Sequence, residues 1–206
     1  MIRNRPLRRA LPLLLGLALL AGACAAGPAP RDHFYRLEVE PPQSPRSSPA
    51  LPGTLEVDRV YGDPLTNGRA ILRRNSEADT EVTPTSYHLW ADSPTLMLQR
   101  ELAEYLRAWG LAEQVVTPDM NATERWVVTG RLERFDQVVK ASPPHVQVVL
   151  ELRLSEARTG RLVLRQTYRA TQPTRGDDVP GAVAGFRDAV GEIFERFASD
   201  AAAAAG

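Results

Sequence analysis

The chain has 206 residues, 25 basic and 25 acidic, with 43% hydrophobic residues. That is enough for one domain with its own core, and nothing in the even charge balance suggests nucleic acid, whose binding relies on clustered positive charge. Cys24 is the only cysteine, so no internal disulfide contributes.

The chain opens on a secretory pattern. Arg3, Arg5, Arg8 and Arg9 precede an apolar run over residues 11–20, too short for the roughly 20 residues that span a bilayer. Ala21-Gly22-Ala23 would suit an ordinary signal peptidase. The thiol that follows at once, Cys24, points instead to a lipoprotein signal peptide over residues 1–23 with Cys24 as the lipid-attachment residue. One departure is that Leu20 stands four positions before the cysteine, with Ala21 at the position where a lipobox usually has leucine. Removing residues 1–23 takes four arginines and no acid, leaving 21 basic against 25 acidic residues over 183 positions. Lys140 is the single lysine, and the scattered arginines read as composition rather than as a binding device.

Residues 24–32 are small and proline-containing, a tether able to reach about 25 Å when extended. Residues 33–39 alternate as a strand with Tyr35, Leu37 and Val39 on one face. A flexible proline-rich loop follows over residues 41–53. Residues 54–60 alternate again, with Leu55 and Val57 inward; residues 70–73 and 87–90 are shorter strands, and Asn67-Gly68 marks a turn. Ser93-Pro94 opens a helix, with Ser93 as a side-chain cap and Gly110 as the stop. Its Leu98, Leu102, Tyr105, Leu106 and Trp109 fall on one stripe.

Three more strands are predicted at 126–136, 146–154 and 162–170, the last two joined by a hairpin at Thr159-Gly160. Asp178 and Pro180 introduce a second helix with Val183, Phe186, Val190, Ile193, Phe194 and Phe197 on one stripe. Residues 201–206 are expected to fray as a flexible alanine-rich tail. The order predicts an α+β fold, a mainly antiparallel sheet with two amphipathic helices packed on one face, as a single domain over residues 33–200. The other face or the edges of such a sheet stay available.

No catalytic motif stands out. His33, His88 and His145 are far apart, without metal-ligand spacing. Ser86, Ser93, Ser142 and Ser155 lack the nucleophile-elbow context, and there is no phosphate loop. Asp177-Asp178 suits the start of a helix better than acid-base chemistry. Trp90 and Trp109 read either as core residues or as an aromatic patch for lipid or a partner, with helical spacing favouring the core for Trp109. The chain is therefore read as a non-enzyme with neither catalytic nor metal residues and no cofactor.

Several segments, taken in order, resemble the ABC-type transport auxiliary lipoproteins, the PqiC-like intermembrane group. They are Cys24, Phe34-Tyr35-Arg36-Leu37, Leu55-Glu56-Val57-Asp58-Arg59-Val60, the Leu89-Trp90-Ala91-Asp92-Ser93-Pro94 corner, Trp126-Val127-Val128-Thr129-Gly130-Arg131-Leu132-Glu133-Arg134-Phe135, and the hairpin strands before the last helix. The resemblance implies an acylated, non-enzymatic component on the periplasmic face of the outer membrane of a Gram-negative bacterium. It would work beside an ABC-type permease and ATPase and dock an MCE-type periplasmic lipid carrier, and a symmetric carrier would favour a homo-oligomeric ring. From another class, the alternative is an envelope assembly factor that docks or plugs an outer membrane β-barrel. A hydrolase of lipid or cell wall would need a clustered polar pocket.

Overall fold

The computed structural model describes residues 30–176 and 178–205, and the fold is that of the compact unit Asp32–Gly206. The expected signal peptide, Cys24 and all but the last residues of the expected tether lie outside the described residues, as does Asp177. No helix among the described residues is long and apolar enough to cross a membrane.

Eight strands form one sheet: β1 (His33–Tyr35), β2 (Leu51–Tyr61), β3 (Ala70–Arg74), β4 (Thr83–Trp90), β5 (Ala112–Val116), β6 (Trp126–Val138), β7 (His145–Glu156) and β8 (Leu162–Pro173). Two helices, α1 (Pro94–Trp109) and α2 (Val179–Ala205), complete the α+β fold. The sheet is mixed and mostly antiparallel. Its two longest ladders, β6 with β7 and β7 with β8, are antiparallel hairpin pairings. The shorter pairings of β2 with β5 and β6, of β3 with β6, and of β1 with β4 are parallel. Parallel neighbours need long connections, and α1 supplies the crossover between β2 and β5.

The 13-residue β6 organises the sheet. Because β7 pairs along its whole length, β2 and β3 must share its opposite edge end to end, β2 at Trp126 to Arg131 and β3 at Asp136 to Val138. The sheet therefore forks, with margins at β8, β5 and β1.

Both helices cover one face, α1 over β2 and β5, α2 over β7 and β8. The predicted stripe of α1 is buried throughout, and that of α2 is buried save the partly covered Val183. At the centre Trp90 lies against Phe135 and Phe186, with ring centroids 5.4 and 5.5 Å away. Trp90 and Trp109 are thus core residues. Asp178 does cap α2: its Oδ1 accepts from Gly181 N–H at 2.9 Å.

Four local features differ from the sequence reading. Ser93 sits at the N-cap of α1 but its side chain makes no capping hydrogen bond, since its hydroxyl meets Thr95 Oγ1 instead. Ladder pairing of the first strand stops at Tyr35, although Leu37 continues the inward alternation and is buried. The proline-rich stretch is pinned rather than loose, because Arg46 N–H donates to Trp109 O and Ala50 and Leu51 N–H to Leu111 O. That path runs past Gly110, whose φ of 77° ends α1 in the left-handed region. Finally, the expected tail is not frayed: α2 runs through Ala205, with Ala201 in the core and Tyr168 Oη donating to Asp200 Oδ2 at 2.8 Å. Alanine favours helix, and the packing holds it there. β5 had no reading in the sequence, because its five residues are too short to show a period.

Candidate functional site

With one face under helices, the opposite face and the margins remain to meet a partner. Strand alternation gives this open face three unlike parts.

The first lies on β6, β7 and β8 and is charged. Glu151 is covered by two guanidinium groups, Arg153 Nε at 2.8 Å and Arg165 Nε at 2.8 Å, both arginines themselves well exposed. Coverage alone would raise the Glu151 carboxyl, but the hydrogen bonds from Arg153 and Arg165 outweigh it and hold the group below its usual range. Arg131, Glu133 and Arg169 extend this surface into solvent.

A second part is a buried polar knot where β3, β6 and β7 meet. Arg74 directs Nε and Nη2 to Asp136 Oδ1 at 2.9 and 2.8 Å, Nη2 also to Gln147 Oε1, and Nη1 to Glu77 O. Arg134 donates to the same Gln147 oxygen at 2.7 Å. Burial pushes the Asp136 carboxyl up, and Arg74 only partly pulls it back. Every strong donor of Arg74 is satisfied, so the knot ties the loop over residues 75–82 onto the sheet. It does not present a free charge to a ligand.

The third part, at the β1–β4 margin, is apolar. Phe34 is 56% exposed and Tyr87 44% exposed. Phe34 is opposite Leu89 in the ladder, and Tyr87 shares the Leu89 face. Arg69 is anchored on Trp90 O at 3.0 Å and lies over the Phe34 ring at 5.3 Å. On the helix side of the same strands His33 and His88 stack at 5.0 Å, and Tyr35 Oη meets His88 Nδ1 at 2.8 Å. Burial, then His33 and Arg73, lower the His88 pKa. These two histidines are 55 positions apart, and only the β1–β4 pairing brings them together. Among the described residues no three of His, Cys, Asp and Glu gather as metal ligands.

Two margins carry an arginine on a strand carbonyl. Arg196 Nη1 donates to Arg169 O of β8 at 3.0 Å, and Arg107 Nη2 to Val115 O of β5 at 2.9 Å. Among the described residues, the remainder of β8 is a long free edge.

The family model for the ABC-type transport auxiliary lipoprotein component matches residues 35–198. The chain belongs to this family. Protein XCC0632 from Xanthomonas campestris superposes with a TM-score of 0.73 at 17% identity, over 84% of this chain and 96% of that one. An uncharacterised crystallised protein gives 0.65 at 15% identity, over 83% and 99%. At these identities the likeness is one of fold. No curated protein matches the chain.

The segments that carry the family resemblance are core segments. Leu37, Leu55, Val57, Trp90, Trp126, Val128, Leu132 and Phe135 all lie in the hydrophobic cluster. These residues lie on the face under the helices. Glu151 and Arg153 could have been singled out from their alternation with buried leucines. The Arg74–Asp136 pair, 62 positions apart, has no local signal.

Proposed function

We propose that this auxiliary lipoprotein is acylated at Cys24, stands on the periplasmic face of the outer membrane, and docks an MCE-type lipid carrier of an ABC transport system without catalysing a reaction. The observation that carries this reading is the one-sided sheet: a family domain with a charged open face and a long free edge at β8. Strand addition at β8 would supply backbone hydrogen bonds, and the arginines of the neighbouring face would set the register. The ABC ATPase supplies the energy elsewhere; this chain holds the carrier in place.

Photo-cross-linking from a benzophenone side chain placed at Thr167 on β8, with a control at Glu104 on α1, tests the docking. An adduct with an MCE-type protein from Thr167 and none from Glu104 is expected. An adduct with an outer membrane β-barrel instead would establish the assembly-factor reading and overturn this one. The anchor is tested separately, since Cys24→Ala should move the protein from the membrane fraction to the soluble periplasm or leave it unprocessed. Full maturation with membrane retention would refute acylation.

A further inference from the structure

We propose that the Phe34–Tyr87–Arg69 patch is a membrane-contact surface that seats the domain on the bilayer and fixes its orientation there. The inference rests on the anchor at Cys24 and adds to it a second point of contact.

Reach supports it first. Only residues 25–32 separate Cys24 from β1, and eight residues can reach at most about 28 Å. The β1 margin is thus the part of the fold held nearest the bilayer, at a high effective concentration. An exposed ring at Phe34 stands one residue into the first strand.

Chemistry supports it next. Aromatic side chains with an apolar body and a wet end collect at membrane–water interfaces. Phe34 and Tyr87 share one face of β1 and β4, beside the partly covered Leu89, so both rings can enter the same shallow layer. Arg69 holds its guanidinium over the Phe34 ring while its Nε donates to Trp90 O, so a cation stands beside the apolar rings, where it can reach headgroup phosphates. The β6–β8 part of the same face is unsuited to this role, because Glu151, Glu133 and the arginines would all lose water.

A functional consequence follows from the strand order. Five strand spacings of about 4.8 Å separate β1 from β8, so seating the first holds the free edge about 24 Å away. The lipid alone would give one point of attachment, which sets no orientation. Two contacts present β8 to the periplasm.

The test uses the full acylated chain, purified in detergent and reconstituted into phosphatidylethanolamine–phosphatidylglycerol vesicles whose acyl chains are brominated near the headgroup. Reporters are introduced singly as Phe34→Trp, Tyr87→Trp and, at the far margin, Leu162→Trp, all at exposed positions. Native Trp90, Trp109 and Trp126 are buried and give a constant background. The indoles at positions 34 and 87 should lose emission by about twofold relative to unbrominated vesicles, as rings at the interface do on meeting a quencher, and the indole at 162 should not. Equal quenching at all three positions in acylated protein would overturn the seating and leave the anchor standing. Protection of position 34 that appears only when the MCE-type carrier is added would assign the patch to a protein partner and also overturn it. An unmodified Cys24 thiol by intact mass would remove the anchor, and the seating with it.

Discussion

Along β7 the two faces of the sheet can be compared residue by residue. Val146, Val148, Leu150, Leu152 and Leu154 point under the helices and are fully buried, while Gln147, Glu151 and Arg153 on the open side make polar contacts. The covered face depends on packing volume, which tolerates little loss. The open face depends on charge pairs in or near water, whose worth is small unless they are buried. Stability thus rests mainly on one side of these strands, the proposed docking would use the other, and substitutions should separate the two.

Phe186→Ala breaks the comparison from the core side. It empties the space beside Trp90 and Phe135, whose rings lie 5.5 and 4.3 Å from that of Phe186, and a fully buried Phe→Ala change costs about 3–5 kcal/mol. Urea unfolding should show a lower midpoint with an unchanged slope.

Asp136→Asn probes a place where the open side behaves like a core. It leaves the Arg74 guanidinium buried without its counter-ion, and loss of one partner of a buried pair costs about 3 kcal/mol or more. The double change Arg74→Met with Asp136→Leu should be better tolerated than the single one, because it removes both charges. If the single substitution is silent in urea unfolding, the knot is a surface feature.

Glu151→Gln should have the smallest effect and a distinctive pH profile. The folded carboxyl titrates below its ordinary value of 4.5, so its contribution is fully present above that pH and disappears as pH falls through the lowered value. Urea midpoints of the parent and the variant should differ slightly at neutral pH and converge in acid. A difference that grows on acidification would reverse the assignment. Since Arg153 and Arg165 are exposed, salt should shrink the difference.

The elements with a sustained period were legible without coordinates. Leu98 to Trp109, Phe186 to Phe197 and the alternation from Val146 to Leu154 each repeat often enough for an amphipathic pattern to stand out. Short elements were not: β5 has too few residues to show a period, and the ladder of β1 ends where pairing ends rather than where alternation does. Asp178 was readable as a cap because its role is local. The His33–His88 stack, the Arg74–Asp136 knot and the exposed Phe34–Tyr87 pair were hidden, because each joins residues across a parallel or antiparallel ladder whose register no local pattern states.

Residue order alone determined the fold class, the two helix stripes, the family and the expectation of an anchored protein without a catalytic motif. The stripes follow from spacing within single segments, which hydrophobic burial reads directly, the fold class from the order of the elements, and the family from the resemblance of several segments taken together. Only the tertiary structure decided that β2 and β3 divide one edge of β6, that the alanine run ends as packed helix, and that the open face splits into charged, knotted and apolar parts. These depend on which strands become neighbours, a choice made by the packing of the whole sheet against its helices.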